Sequence, residues 1–221
     1  MIIPEFQLYN LVETLMTYVK SELQTNCDES KTILYNIFNG VKFGKLDLFE
    51  LSKEFFSRKK DHPRQLEIRL GFDASRAQIP TIHITLPSER SGPNGIGVDE
   101  GYLDSIIDDV DKTITPVFTR TFENQYAIIV TSDNTLEVIL LYNLLKSLFI
   151  SITESVELAG LRNVKFSGQD VQLNASLVSA NIFARGLMLD FFYELSVKRL
   201  LSQPLINNIL FEGRAIDDLS I

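Results

Sequence analysis

Asp104, Asp108, Asp109 and Asp111 gather four carboxylates into one short stretch. Hard cations such as magnesium and calcium take carboxylate oxygens as ligands, so a metal-dependent reaction would be built here. Asp104 and Asp108 are four residues apart and share a face if the segment is helical. The spacing departs from that of the twelve-residue calcium loop, and a solvated helix face is the simpler account.

The glycine-rich run Ser91-Gly92-Pro93-Asn94-Gly95-Ile96-Gly97 invites a phosphate-loop reading. No Gly-Lys-Ser or Gly-Lys-Thr follows it, and the dinucleotide-binding glycine spacing is missing. Asp99 and Glu100 would also repel phosphate. The run reads as an interface or lumen loop. His62 and His83 are the two histidines, and neither sits in a Ser-His-Asp order, a nucleophile elbow or a His-x-x-x-His pair. Cys27 is the single cysteine, which excludes an intramolecular disulfide and a cysteine-based zinc site. Asn174-Ala175-Ser176 matches a glycosylation acceptor, without meaning in a reducing compartment. The 15 phenylalanines follow core parity rather than alternating with bases on a nucleic-acid-binding face. These residues predict no catalytic group, no cofactor and no metal ligand.

The elements that would carry any site are clearer. Pro4 suits a first helical turn, and Leu8, Leu11, Val12, Leu15, Val19 and Leu23 fall at helical spacing behind it. Thr32 to Phe38 is apolar and ambiguous. Asp47 to Arg58 reads as helix, with Leu48, Leu51 and Phe55 on one side. After Pro63 the period becomes two. Leu66, Ile68 and Leu70 mark one strand, and Ile82, Ile84 and Leu86 another. Pro87 to Gly101 reads as a long loop. Thr113 to Thr121 and Tyr126 to Thr131 read as a further pair of strands. Asn134 and Glu137 have capping-box spacing ahead of a helix from Thr135 to about Ile152. That helix is apolar on nearly all sides and must be buried on more than one. Val164, Phe166 and Gly168 lead into another strand. From Ala180 to Val197 one parity is apolar, which predicts a long strand with one buried face.

This order predicts an α+β fold: a largely antiparallel twisted sheet packed against one long buried helix and an N-terminal amphipathic helix. Residues 1–199 form a single domain, with a helical part over 1–60 and the sheet plus buried helix over 61–199. Residues 200–221 form an apolar C-terminal arm, which closes its own sheet or reaches onto a neighbour.

The chain has 221 residues, 45% apolar and 23% charged, an ordinary globular composition. Its 29 acids against 21 bases give a net charge of −8, a poor match to nucleic acid, which needs clustered Lys and Arg. Glu89 to Asp111 holds seven acids and one base, Arg90, while Lys53 to Arg64 holds five bases and two acids. These are two solvated surfaces or two complementary faces of a self-assembling subunit. The N-terminus has no basic region or cleavage site of a secretory signal. The apolar window from Val138 to Ile152 is interrupted by Asn143, Lys146 and Ser151, and is shorter than the roughly 20 residues a membrane span requires. A soluble intracellular protein is expected.

The run Tyr126-Ala-Ile-Ile-Val-Thr-Ser-Asp-Asn-Thr-Leu-Glu continues as a long helix to Leu148. It is followed by Leu161 to Leu173 and by Ile182-Phe-Ala-Arg-Gly-Leu-Met-Leu-Asp-Phe-Phe-Tyr-Glu. In order and texture, from Arg64 to Leu195, the chain resembles the neck or tail-terminator proteins of tailed bacteriophages. The resemblance implies a structural virion protein made in the host cytoplasm. It would form a ring of six or twelve copies joining head to tail, beside portal, neck or tail proteins. Double-stranded DNA would pass through the channel without specific binding. The residues expected at the interface or lumen are Lys59, Lys60, Arg64, Glu89, Arg90, Asp99, Glu100, Asp104, Leu205 and Phe211. A small metal-dependent enzyme built on Asp104–Asp111 and a monomeric cytosolic adaptor using the 87–101 loop are the alternatives.

Overall fold

Pro4 opens the first helix, α1 (Pro4–Thr25), where its missing N–H costs nothing and Glu5 faces the positive end of the helix dipole. In this computed structural model, residues 3–59, 61–92, 104–107, 114–172 and 181–198 are described. The chain divides into two compact units. The larger is Ile2–Arg90 with Glu123–Tyr193. The described part of the smaller is 91–92, 104–107, 114–122 and 194–198.

In the larger unit α1 buries Leu8, Val12, Met16 and Val19, while Leu11, Leu15 and Leu23 are half-buried. The ambiguous stretch is helical: α2 (Ile33–Phe38) is capped by Thr32, whose hydroxyl accepts from the Tyr35 N–H at 3.3 Å. A two-residue turn at Gly44-Lys45 joins β1 (Lys42–Phe43) to β2 (Leu46–Asp47). Gly44 sits at φ 62°, a left-handed conformation that such tight hairpins assign to glycine. Asp47 then caps α3 (Leu48–Phe56), accepting from Phe49 N–H at 2.9 Å.

The main sheet contains β3 (Glu67–Leu70), β4 (Thr81–Ser91), β5 (Asp104–Ile107), β6 (Ile114–Ser132), β7 (Arg162–Asp170) and β8 (Phe183–Lys198). Its strand order is β3-β4-β6-β8-β7, with β5 also on β6. β3 and β4 run parallel, Glu67 opposite Thr81 and Leu70 opposite Ile84. The 71–80 connection between them is near the shortest that can return a chain for parallel pairing, and it is tightened by a single 3-10 turn at Ala74–Arg76. β7 and β8 are antiparallel. In the smaller unit β5 pairs antiparallel with the start of β6, Asp104 opposite Val117.

Three expectations are corrected. The pair of strands around residues 113–131 is one strand, β6. Glu123, Asn124 and Gln125, polar in sequence, stay in the ladder instead of turning. β4 runs through Pro87 to Ser91, so the loop expected from Pro87 starts later, and residues 93–100 lie outside the described part. Asp104–Ile107 is strand, which removes the shared helical face for Asp104 and Asp108, and 108–113 lie outside the described residues.

The core lies where α4 (Thr135–Ser151) covers the sheet. α4 buries Val138, Leu140, Leu141, Tyr142, Leu144, Leu145, Leu148 and Phe149. Phe149 meets Phe166 of β7 with ring centroids 6.3 Å apart, and Gly168 of β7 lies directly under the Tyr142 hydroxyl. From the sheet come Ile82, Ile84, Tyr126, Ile128, Val130, Leu187, Leu189 and Phe191. Tyr126 and Phe191 stack at 5.5 Å with planes 1° apart. A short helix, α5 (Thr153–Leu158), follows. Helices and a mixed sheet make the fold α+β.

Candidate functional site

The expected basic face is largely consumed inside the fold. Glu137, on the first turn of α4, is 3% exposed. Its carboxylate accepts from Arg58 Nη2 at 2.9 Å, Arg64 Nη2 at 2.6 Å and the Ser132 hydroxyl at 2.7 Å. Arg64 also pairs with Asp133 at 2.6 Å, and Arg58 Nη1 donates to the Arg64 carbonyl at 2.9 Å. Burial by itself would raise the Glu137 carboxyl. Hydrogen bonds from Arg64, Ser132 and Arg58 outweigh it and hold the group below its ordinary range. Hydrogen bonds to Asp133 and Glu137 drive the Arg64 guanidinium further up. Asn134 caps α4 by accepting from Leu136 N–H at 3.0 Å. Glu137 does not close the capping box, because the two arginines hold it. Lys53 is tied to Glu29 at 2.9 Å and Glu50 at 3.0 Å. Of the expected basic residues, Lys59 is exposed, Arg64 is half-buried in the ion cluster, and Lys60 lies outside the described residues.

On the acidic side, Glu89 and Arg90 are exposed at the end of β4. Glu89 accepts from the Tyr193 hydroxyl at 3.4 Å. Arg90 forms a two-pronged pair with Glu123, both contacts at 2.8 Å, so its charge is already matched. Asp104 opens β5. Asp99, Glu100, Leu205 and Phe211 lie outside the described residues, as do Asp108, Asp109 and Asp111. Among the described residues, no group of three or more His, Cys, Asp or Glu side chains comes together as a metal site.

His83 is fully buried. Its Nδ1 lies 3.3 Å from the Gly71 carbonyl and 3.4 Å from the Asp73 N–H, and Nε2 lies 3.2 Å from the Thr131 hydroxyl: one tautomer donates to Gly71 and accepts from Thr131, the other accepts from Asp73 and donates to Thr131. Burial pulls its pKa below the ordinary value. It holds the 71–80 connection to the sheet. Asn124 is 1% exposed, and both amide atoms lack a hydrogen-bond partner, as does the Tyr126 hydroxyl. Burial first, then the nearby Glu5 carboxylate, raises the Tyr126 phenol.

The surface that sequence reasoning missed is apolar. Leu8, Leu11 and Leu15 of α1 face Ile152, Val156 and Leu161 across a groove of about 430 Å³ whose lining residues carry no charge. On α4 and α5, Ile150 is 55% and Leu158 83% exposed. At the β1–β2 hairpin, Phe43 is 70% exposed, with Val41 and Leu46 also open. The signal was present in α1, which carries two apolar columns, Leu8/Val12/Met16/Val19 and Leu11/Leu15, though only one can face the core. No helix among the described residues is long and apolar enough to cross a membrane. No protein-family model matches the chain, and no curated protein matches it.

Proposed function

We propose that this chain is a structural virion protein, not an enzyme, that assembles with copies of itself into a ring of six or twelve at the neck or tail end of a tailed bacteriophage. The observation that carries self-assembly is the apolar surface left open on a single subunit. Phe43 and Leu46 stand out on a hairpin, Ile150 and Leu158 are exposed on α4 and α5, and an uncharged groove runs between α1 and α5. Contiguous exposed apolar side chains on a folded protein mark a surface meant to be covered. The phage setting rests on the resemblance of residues 64–195.

In this reading the fold is a largely antiparallel twisted sheet packed against one long buried helix and an N-terminal amphipathic helix. The nine buried side chains of α4 support it. Glu89 and the acids after it line the channel, where like charge lets double-stranded DNA slide with no counterion-release gain. Portal, neck and tail proteins abut the ring's two faces.

Negative-stain imaging and light scattering of the purified full chain, and imaging of the intact particle, test the reading. Annular density with six-fold or twelve-fold symmetry is expected. A single-chain mass together with a particle whose neck and tail end lack this chain overturns it.

A further inference from the structure

We propose that the groove between α1 and α5 receives the C-terminal segment, residues 199–221, of a second copy of this chain. This deepens the ring reading and rests on it. The groove floor runs from Leu8 to Leu15, eight residues of helix, or about 10 Å at the helical rise. An uncharged, largely apolar trough on a helix face takes an uncharged apolar segment of chain.

The chain carries one segment with that chemistry. β8 is described to Lys198, and 23 residues follow it. Among them Leu205, Ile206, Ile209 and Leu210 form two apolar pairs separated by Asn207 and Asn208. From Pro204 to Phe211 no residue is charged, and neither is any residue lining the groove. Arg199 to Pro204 gives a lead of six residues, up to about 20 Å when extended. Each copy offers an arm and a groove, so a head-to-tail series closes without leftover partners in a ring, as a reciprocal exchange would in a dimer.

Thr14, on the groove's rim, is replaced by a photo-crosslinking benzophenone amino acid in the full-length chain. Isotopically heavy and light chains are unfolded, mixed, refolded and irradiated, and cross-linked peptides are identified by mass. The expected result is a link from position 14 to a peptide within 199–221, with heavy–light pairs as abundant as same-mass pairs. Links confined to same-mass pairs, or running to any other segment, overturn the proposal. As a second measurement, Ile209→Asp and Leu11→Lys should each lower the assembled fraction at fixed concentration by about tenfold or more, since each buries a charge in the contact. Circular dichroism checks that both fold. A folded variant that assembles normally overturns the proposal. Annuli whose cross-links lie elsewhere remove the arm exchange and leave the ring. Heavy–light links to 199–221 without annuli remove the ring and leave the arm exchange.

Discussion

Arg64 and Glu137 meet at 2.6 Å across 73 residues of chain. With Arg58 and Ser132 they fasten the first turn of α4 to the segment that leads into the sheet. A carboxylate 3% exposed between two guanidiniums is costly to remove, because the cations are left partly desolvated without their counter-charge. Glu137→Ala should lower stability by about 3 kcal/mol. Arg58→Ala should cost only about 1 kcal/mol, because Glu137 keeps Arg64 and Ser132. Urea midpoints of the two variants check the order, and equal losses would show that the cluster does not act as described.

Acid should weaken the protein in two separate windows. His83 has an ordinary pKa of 6.5, and burial lowers it in the folded state. Above that value both states hold a neutral ring. Below it the unfolded chain takes a proton that the folded chain refuses, so stability falls with pH. Glu137 is depressed below its ordinary 4.5. Its contribution is complete above 4.5 and is lost as pH drops through the lower folded value. In His83→Gln the loss of stability that begins as pH falls below 6.5 should disappear, and the loss below 4.5 should remain. Urea midpoints across that range read both windows.

Gly168 lets β7 pass beneath α4. A Cβ there would fall on the Tyr142 hydroxyl, and Tyr142 is 9% exposed with Arg185 above its ring at 5.3 Å. Gly168→Ala should therefore cost about 1–3 kcal/mol. Adding Tyr142→Phe, which deletes the obstructing oxygen, should recover part of that loss. Additive losses in the double variant would show that the two residues do not collide.

Asn124 has the opposite prospect. Its amide is buried with neither atom in good hydrogen-bond geometry, and it reaches only weakly toward the Tyr126 and Tyr193 hydroxyls, so its desolvation cost outweighs what it gains. Asn124→Leu should raise stability by about 1 kcal/mol, seen as a higher melting temperature. A drop of similar size would mean that the amide holds a water or another group.

What was legible in the sequence was what neighbours along the chain decide. Pro4 fixed the start of α1, Asn134 the start of α4, and the alternation of Leu187, Leu189, Phe191 and Tyr193 the buried face of β8. Features set by distant partners were not legible. Glu123 and Gln125 fell between the two expected strands, but cross-strand bonds to Arg90 and Asp190 keep them in β6. Arg64 looked like a free surface base because its acid lies on another element. The parallel pairing of β3 with β4 has no local mark, since alternation reads alike in either direction. The groove was hidden because Leu11 and Leu15 have the same periodicity as the core residues beside them.

The two ends of the main sheet differ in what they expose to other chains. Among the described strands, β3 and β7 each have one hydrogen-bonding side without a neighbour. β3 offers only four residues, and Glu67 and Arg69 are tied to each other across it at 2.9 Å. β7 offers nine, Arg162 to Asp170, guarded mainly by the exposed Lys165. A long bare border is a template for misplaced strands, and lysine is a residue that protects such borders. In crowded expression, insoluble material should therefore grow from β7, and the yield of soluble protein should depend on that single ammonium.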